Sequence, residues 1–172
     1  MYNADSIKQK EMFRIRSEDI KNIDAALSDI RSNPASGEMK RYRQHGGITT
    51  YDHCENVAKL SYLMNKRLHI GADTQVMLVG AFLHDLCLYD WHDKDPAHRL
   101  HGYTHAETAR QNAVRYFHVG QREQDIIYCH MWPLNITRVP HSKEAWIVCM
   151  ADKLCAVHEF CVNTARHIGS RH

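Results

Sequence analysis

The sequence predicts an all-α protein, a compact bundle of about six or seven helices. Three observations carry that expectation. Apolar residues recur at helical spacing through most of the chain, and alternating strand patterns are nearly absent. Caps and breakers fall where one helix should give way to the next. At 172 residues and 44% hydrophobic content, the chain is long enough for a single domain over 1–172 with one core.

The elements follow in order. Ser17 to Ser32 reads as a first helix, with Ile20, Ile23, Ala26/Leu27 and Ile30 on one face, and Asn33-Pro34 stops it. Ala35 to Gln44 leads to a turn at His45-Gly46-Gly47. Thr49 or Thr50 caps a helix over about 51–68, whose inward stripe contains His53, Val57, Leu60 and Met64. A helix over about 73–86 carries Val76, Val79, Gly80 and Leu83 and ends at His84-Asp85-Leu86. Residues 87–103 are polar, aromatic and broken by proline, which predicts a long loop. The T-x-x-E spacing of Thr104 and Glu107 predicts a capping box that opens a helix to about Phe117. Gln121 to Met131 predicts another helix, Pro133 and Pro140 bound a loop, and Ser142 caps a last helix to about Arg166.

Composition narrows the function classes. The formal charge is +2, with both signs mixed along the chain, so there is no electrostatic case for a protein that coats nucleic acid. The start, MYNADSIKQKEM, lacks an apolar core for a secretory signal, and VMLVGAFL at 76–83 is too short to span a bilayer. The cysteines at 54, 87, 129, 149, 155 and 161 form no C-x-x-C pair. They read as reduced, mostly buried thiols of a cytoplasmic protein.

The chemistry lies in His53, His84-Asp85, His105, His130 and Asp152. Taken singly, each has an ordinary explanation, such as a satisfied core histidine, a helix-end pair or a salt-bridged acid. Together they supply imidazoles and carboxylates from separate elements, the donor types that hold divalent metals in a hydrolytic site. His53 and Asp152 fall on inward stripes, an expensive place for polar groups unless they are paired or metal-bound. The basic run Lys40, Arg41, Arg43, Gln44, His45 leads directly into the first of these helices and suits a phosphate clamp or a solvated helix end. Tyr89, Trp91 and Trp132 can line a pocket or stack on a base, or pack in the core. His69, His92, His98, His118, His141 and His158 read as solvated surface.

The segments YDHCENVA, GAFLHDL, THAETA, YCHMWP and CMADKL resemble the HD-domain superfamily of metal-dependent phosphohydrolases over roughly residues 40–160. The resemblance implies an HD-domain bundle with a central metal site. It implies that His53, His84, Asp85 and Asp152 hold one metal. His105 and His130 match the extra histidines of the dinuclear subset, in which the HD aspartate, here Asp85, bridges two ions. His101 is a rival for His105. His105 is preferred because Ala109 follows it at the position where the superfamily has a small residue, which leaves His101 supporting the ligands from behind or facing phosphate. His84 and Asp85 take the catalytic role, and Arg43, Gln44, His45, His101, Lys153 and Trp132 the substrate-binding role.

The implied cofactors are two divalent transition metal ions (Fe, Mn, Zn, Ni or Co) about 3.5–4 Å apart. The implied activity is hydrolysis of a phosphate ester or nucleotide through a metal-bound hydroxide. The implied partner is a small phosphorylated substrate, and a homodimer is compatible with the sequence. The GYP signature of cyclic di-GMP phosphodiesterases is missing, no HHE follows His130, and LCLYDWHD after the HD pair departs from the HDIG form. Two other readings remain. HD-type di-iron oxygenases that cleave C–C or C–P bonds use the same ligands. The phosphonate type places an acid ahead of the first histidine, whereas residues 39–51 contain no Asp or Glu. A non-catalytic HD binding module would not need all six ligands.

Overall fold

The computed structural model describes the backbone of residues 15–44, 48–89 and 101–169, and the side chains of 15–44, 48–89 and 104–161. Seven α-helices and one 3-10 turn make up the regular structure there. The only extended pairing among the described residues is an isolated antiparallel bridge between Arg43 and Thr49. The all-α expectation is met.

Helix α1 spans Ser17–Ser32 and buries Ile23 and Leu27. Ile20, expected on the same face, is instead 41% exposed. Asp19 takes the inward position, accepting from Arg16 N at 3.0 Å and Lys66 Nζ at 2.6 Å. These partners make the buried carboxylate tolerable. Asn33 ends α1 and caps α2 (Pro34–Glu38) by accepting from Ala35 N at 2.9 Å. Pro34 serves as a stop for one helix and the first residue of the next. A 3-10 turn over Met39–Arg41 follows.

Helix α3 (Thr50–Arg67) opens with a capping box in which Thr49 Oγ1 accepts from Asp52 N at 3.1 Å. It buries His53, Cys54, Val57, Ala58 and Ser61. Helix α4 (Thr74–Leu83) is capped by Asp73, and Met77 to Leu83 are all buried. A helix this apolar belongs at the centre, and α4 packs between α3 and α6. Gly80 sets that approach: a Cβ there would lie 2.8 Å from Ile126 Cγ2. Phe82, Leu83, Leu86, Ile126 and Ile127 fill the middle of the core, each burial stabilising by about 1.5–3 kcal/mol.

Helix α5 spans His101–Phe117, so the expected start at Thr104 is corrected. Thr104 lies inside the helix, its carbonyl accepting from Thr108 Oγ1 at 3.4 Å. Glu107 does not reach back as a capping-box acid. It binds Arg110 Nη2 at 2.7 Å and Gln111 Nε2 at 2.8 Å instead. Residues 101–103 of the predicted loop 87–103 are helical, and residues 90–100, with Trp91, His92 and His98, lie outside the described residues. Helix α6 is Gln121–Cys129, ending before the expected Met131. Helix α7 is Lys143–Gly169, with Ser142 Oγ accepting from Ala145 N at 3.1 Å at its start. Among the described residues no helix is long and apolar enough to cross a membrane.

Candidate metal centre

Six predicted ligands come from five places in the chain and meet in the interior. His53 stands on α3, His84 and Asp85 follow α4, His105 stands on α5, His130 follows α6 and Asp152 stands on α7. His53, His84, Asp85, His105 and His130 are each at most 5% exposed. His84 Nε2 lies 3.7 Å from Asp152 Oδ1, and His53 Nε2 lies 3.2 Å from the same oxygen.

Asp85 is the centre of the arrangement. Its Oδ2 lies 3.4 Å from His84 Nε2 and 4.0 Å from His53 Nε2. Its Oδ1 lies 3.3 Å from His105 Nε2 and 3.4 Å from His130 Nε2. The two oxygens therefore face two different groups of histidines. His105 Nε2 and His130 Nε2 are themselves 3.0 Å apart, a spacing that suits neighbouring donors around one cation.

Local structure sets the imidazole tautomers. His84 Nδ1 donates to Ala81 O and His130 Nδ1 donates to Ile127 O, both at 2.7 Å. A carbonyl only accepts, so Nδ1 carries a proton, and Nε2 is the nitrogen that faces the cluster. His53 Nδ1 donates to Glu159 Oε2 at 2.9 Å. Asn112 Nδ2 donates to Leu86 O at 2.8 Å and so clamps the chain just after the His-Asp pair. Leu88, next along, has φ 53°, a left-handed conformation that costs a non-glycine residue roughly 1–2 kcal/mol. The turn is thus held by α5 rather than by its own preferences.

The electrostatics have the signature of a cation site. Burial disfavours the Asp85 carboxylate, but His84, His105 and His130 around it hold its pKa well below the usual carboxylate range. Asp152 is also lowered: burial opposes its charge, and the His53 and His84 imidazoles beside it outweigh that. Burial pulls His53 down, yet Asp152 and Glu159 raise it to about 10. His84 is likewise raised, burial opposing and Asp85 prevailing. His130 is lowered, chiefly by burial. Protons on buried imidazoles here balance buried carboxylates, and divalent cations can supply that charge in their place. His84 Nε2 and Asp85 Oδ1 are buried without a hydrogen-bond partner. Orphaned polar atoms pointing into a ligand cluster fit a metal better than they fit a core. His53, His84 and Asp152 form one group of donors within reach of a single ion, and His84, Asp85 and His130 form another.

The other predicted residues divide. Gln44 is buried, and its Nε2 donates to Asp85 Oδ2 at 2.5 Å. Arg43 is exposed on the same short extended segment. Lys153 Nζ donates to His130 O at 2.8 Å and Cys149 O at 3.2 Å, which ties α7 to the end of α6. Trp132 stacks edge-on against Trp146 at 5.0 Å, and its carbonyl accepts from Cys149 Sγ at 3.3 Å. His45 and the side chain of His101 lie outside the described residues. The backbone places His101 in the first turn of α5 rather than in a loop. His69, His118, His141 and His158 are exposed, as expected. Cys54, Cys87, Cys129, Cys149 and Cys155 are buried free thiols, and burial raises Cys129 and Cys155 to about 12, which makes them inert rather than nucleophilic.

Sequence reasoning missed Glu159 and Asn112. A weak signal existed for Glu159, which lies two helical turns beyond Asp152 on the same face. Nothing local marked Asn112.

Comparison with curated proteins and with solved structures gives no match. The model of the HD domain family matches residues 50–157, a stretch that contains all six clustered histidines and aspartates. With more than half of its length matched, the chain belongs to the HD domain family.

Proposed function

We propose that this protein is a metal-dependent phosphohydrolase with two divalent transition cations, acting on a phosphate ester or nucleotide. The observation that supports it best is the division of Asp85, whose two oxygens face two separate groups of histidines. His53, His84, Asp85 and Asp152 would hold one cation, and Asp85, His105 and His130 the other. When bound, such cations polarise a phosphoryl oxygen and acidify water. The chain supplies the rest. Gln44 fixes Asp85 Oδ2, Lys153 fixes the backbone of His130, and Asn112 fixes the turn after the His-Asp pair. Arg43, exposed beside Gln44, takes the substrate phosphate through a charge-assisted hydrogen bond.

Metal analysis of the purified protein combined with a phosphate-release screen over nucleotides and sugar phosphates tests the reading. Release that chelation abolishes and added metal restores supports it. Oxygen-dependent turnover with redox-active iron, and no phosphate release, would replace it with HD-type oxygenase chemistry. Arg43→Ala should raise KM about ten- to hundred-fold, the size of one charge-assisted hydrogen bond, and leave metal content unchanged.

A further inference from the structure

We infer that Glu159 is a positioning residue that makes the two halves of the metal centre unequal, so that a cation at His53 binds first and more tightly than one at His105 and His130. The inference rests on the two-cation reading above. Glu159 lies outside the stretch matched by the family model, which ends at residue 157.

Glu159 is 4% exposed, an expensive position for a carboxylate without partners. Its Oε2 accepts from His53 Nδ1 at 2.9 Å and its Oε1 accepts from Asn56 Nδ2 at 3.2 Å. Both partners stand on α3, so the carboxylate of α7 is held at each oxygen and cannot swing away. A carboxylate behind an imidazole orients the ring and makes its far nitrogen a stronger donor. His130, in the other half, has a neutral carbonyl behind it.

Charge separates the halves in the same direction. The His53 half contains Asp152 and one oxygen of Asp85, with Glu159 behind. Among the described carboxylates, the His105 and His130 half shares the other oxygen of Asp85. Lys153 Nζ stands 2.8 Å from His130 O and 3.9 Å from Asp152 Oδ2. It touches both halves and does not by itself separate them. More negative charge and a better-oriented donor both favour the His53 half.

The test is a cobalt(II) titration of the metal-free full-length protein, followed by visible absorption, for the wild type, Glu159→Gln, Asn56→Leu and His105→Ala. Wild type should fill in two steps, and His105→Ala should lose the second. Glu159→Gln should weaken the first step about ten- to hundred-fold and leave the second nearly unchanged. It should also move the His53 Nδ1 proton resonance of the zinc-loaded protein upfield. Asn56→Leu keeps the carboxylate but removes the hydrogen bond that Asn56 donates to it, and should weaken the first step less. It carries the test if Glu159→Gln does not fold. Two equal steps in wild type, or equal weakening of both steps in Glu159→Gln, would overturn the inference and leave the two-cation reading standing. A wild type that takes one cobalt equivalent when saturated would overturn the two-cation reading itself.

Discussion

His84 and His130 occupy the same position in two different helices. Each is the C-cap of a helix, α4 and α6, in a right-handed helical conformation. Each donates Nδ1 to the carbonyl three residues back at 2.7 Å. Their ring centroids are 4.8 Å apart. A helix end leaves its last carbonyls without intrahelical donors, and an imidazole that turns back to satisfy one presents its other nitrogen forward. The candidate metal centre uses this device twice.

That relationship predicts the tautomers. Long-range proton–nitrogen spectra of the zinc-loaded protein should show protonated Nδ1 on both His84 and His130. A proton on Nε2 of either residue would remove it from the ligand set.

Asp85→Ala should strip or strongly deplete bound metal while the helices remain. Asp85 faces both histidine groups, whereas its sequence neighbours Phe82, Leu83 and Leu86 are fully buried core residues that the substitution leaves in place. Metal content by plasma emission and far-UV circular dichroism check the two halves of this statement. Unchanged metal content would show the ligand assignment to be wrong.

Gly80→Ala should destabilise the fold by about 1–3 kcal/mol, the usual cost of forcing extra volume into a packed core. The added methyl would meet Ile126 at 2.8 Å. Moving α6 away would carry His130 with it, so metal affinity should fall along with the denaturation midpoint. Gly80→Ala combined with Ile126→Val should recover part of both losses. No recovery would mean that the α4–α6 contact is not the cause.

Asp19 and Lys66 predict a pH dependence. The hydrogen bond from Lys66 lowers the Asp19 pKa below its ordinary 3.8, with burial opposing. A lowered acid pKa stabilises the folded state above the unfolded value and loses that contribution as pH falls through the folded value. The stability gap between wild type and Asp19→Asn should therefore be full near neutral pH and close as pH drops below about 3.8. Urea denaturation at several pH values measures it, and a gap that widens in acid would contradict the pairing.

Much of the molecule was legible in the residues. Helical periodicity placed α1 at Ser17–Ser32, and the Thr49 and Ser142 caps marked two other starts. These features are local: a cap bonds to residues three positions away, and a buried stripe repeats every turn. His53 and Asp152 stood out for a related reason, since polar residues on inward stripes need an unusual justification, whereas the full set of six candidate ligands rested on the resemblance to the HD superfamily. Local reasoning failed where a side chain had two local choices. Thr104 and Glu107 have capping-box spacing, but Glu107 goes to Arg110 and the helix begins at His101. Ile20 fits the apolar stripe of α1, but Asp19 has Lys66 as a partner 47 residues away and takes the buried place. Only the tertiary structure decided that the oxygens of Asp85 face different histidines, that Gln44 binds Asp85 rather than solvent, and that Glu159 stands behind His53. Those contacts join residues 20 to 106 positions apart. Their distances depend on how closely α3, α4, α5, α6 and α7 pack, and that is set by the whole core, Gly80 against Ile126 included, rather than by any one segment.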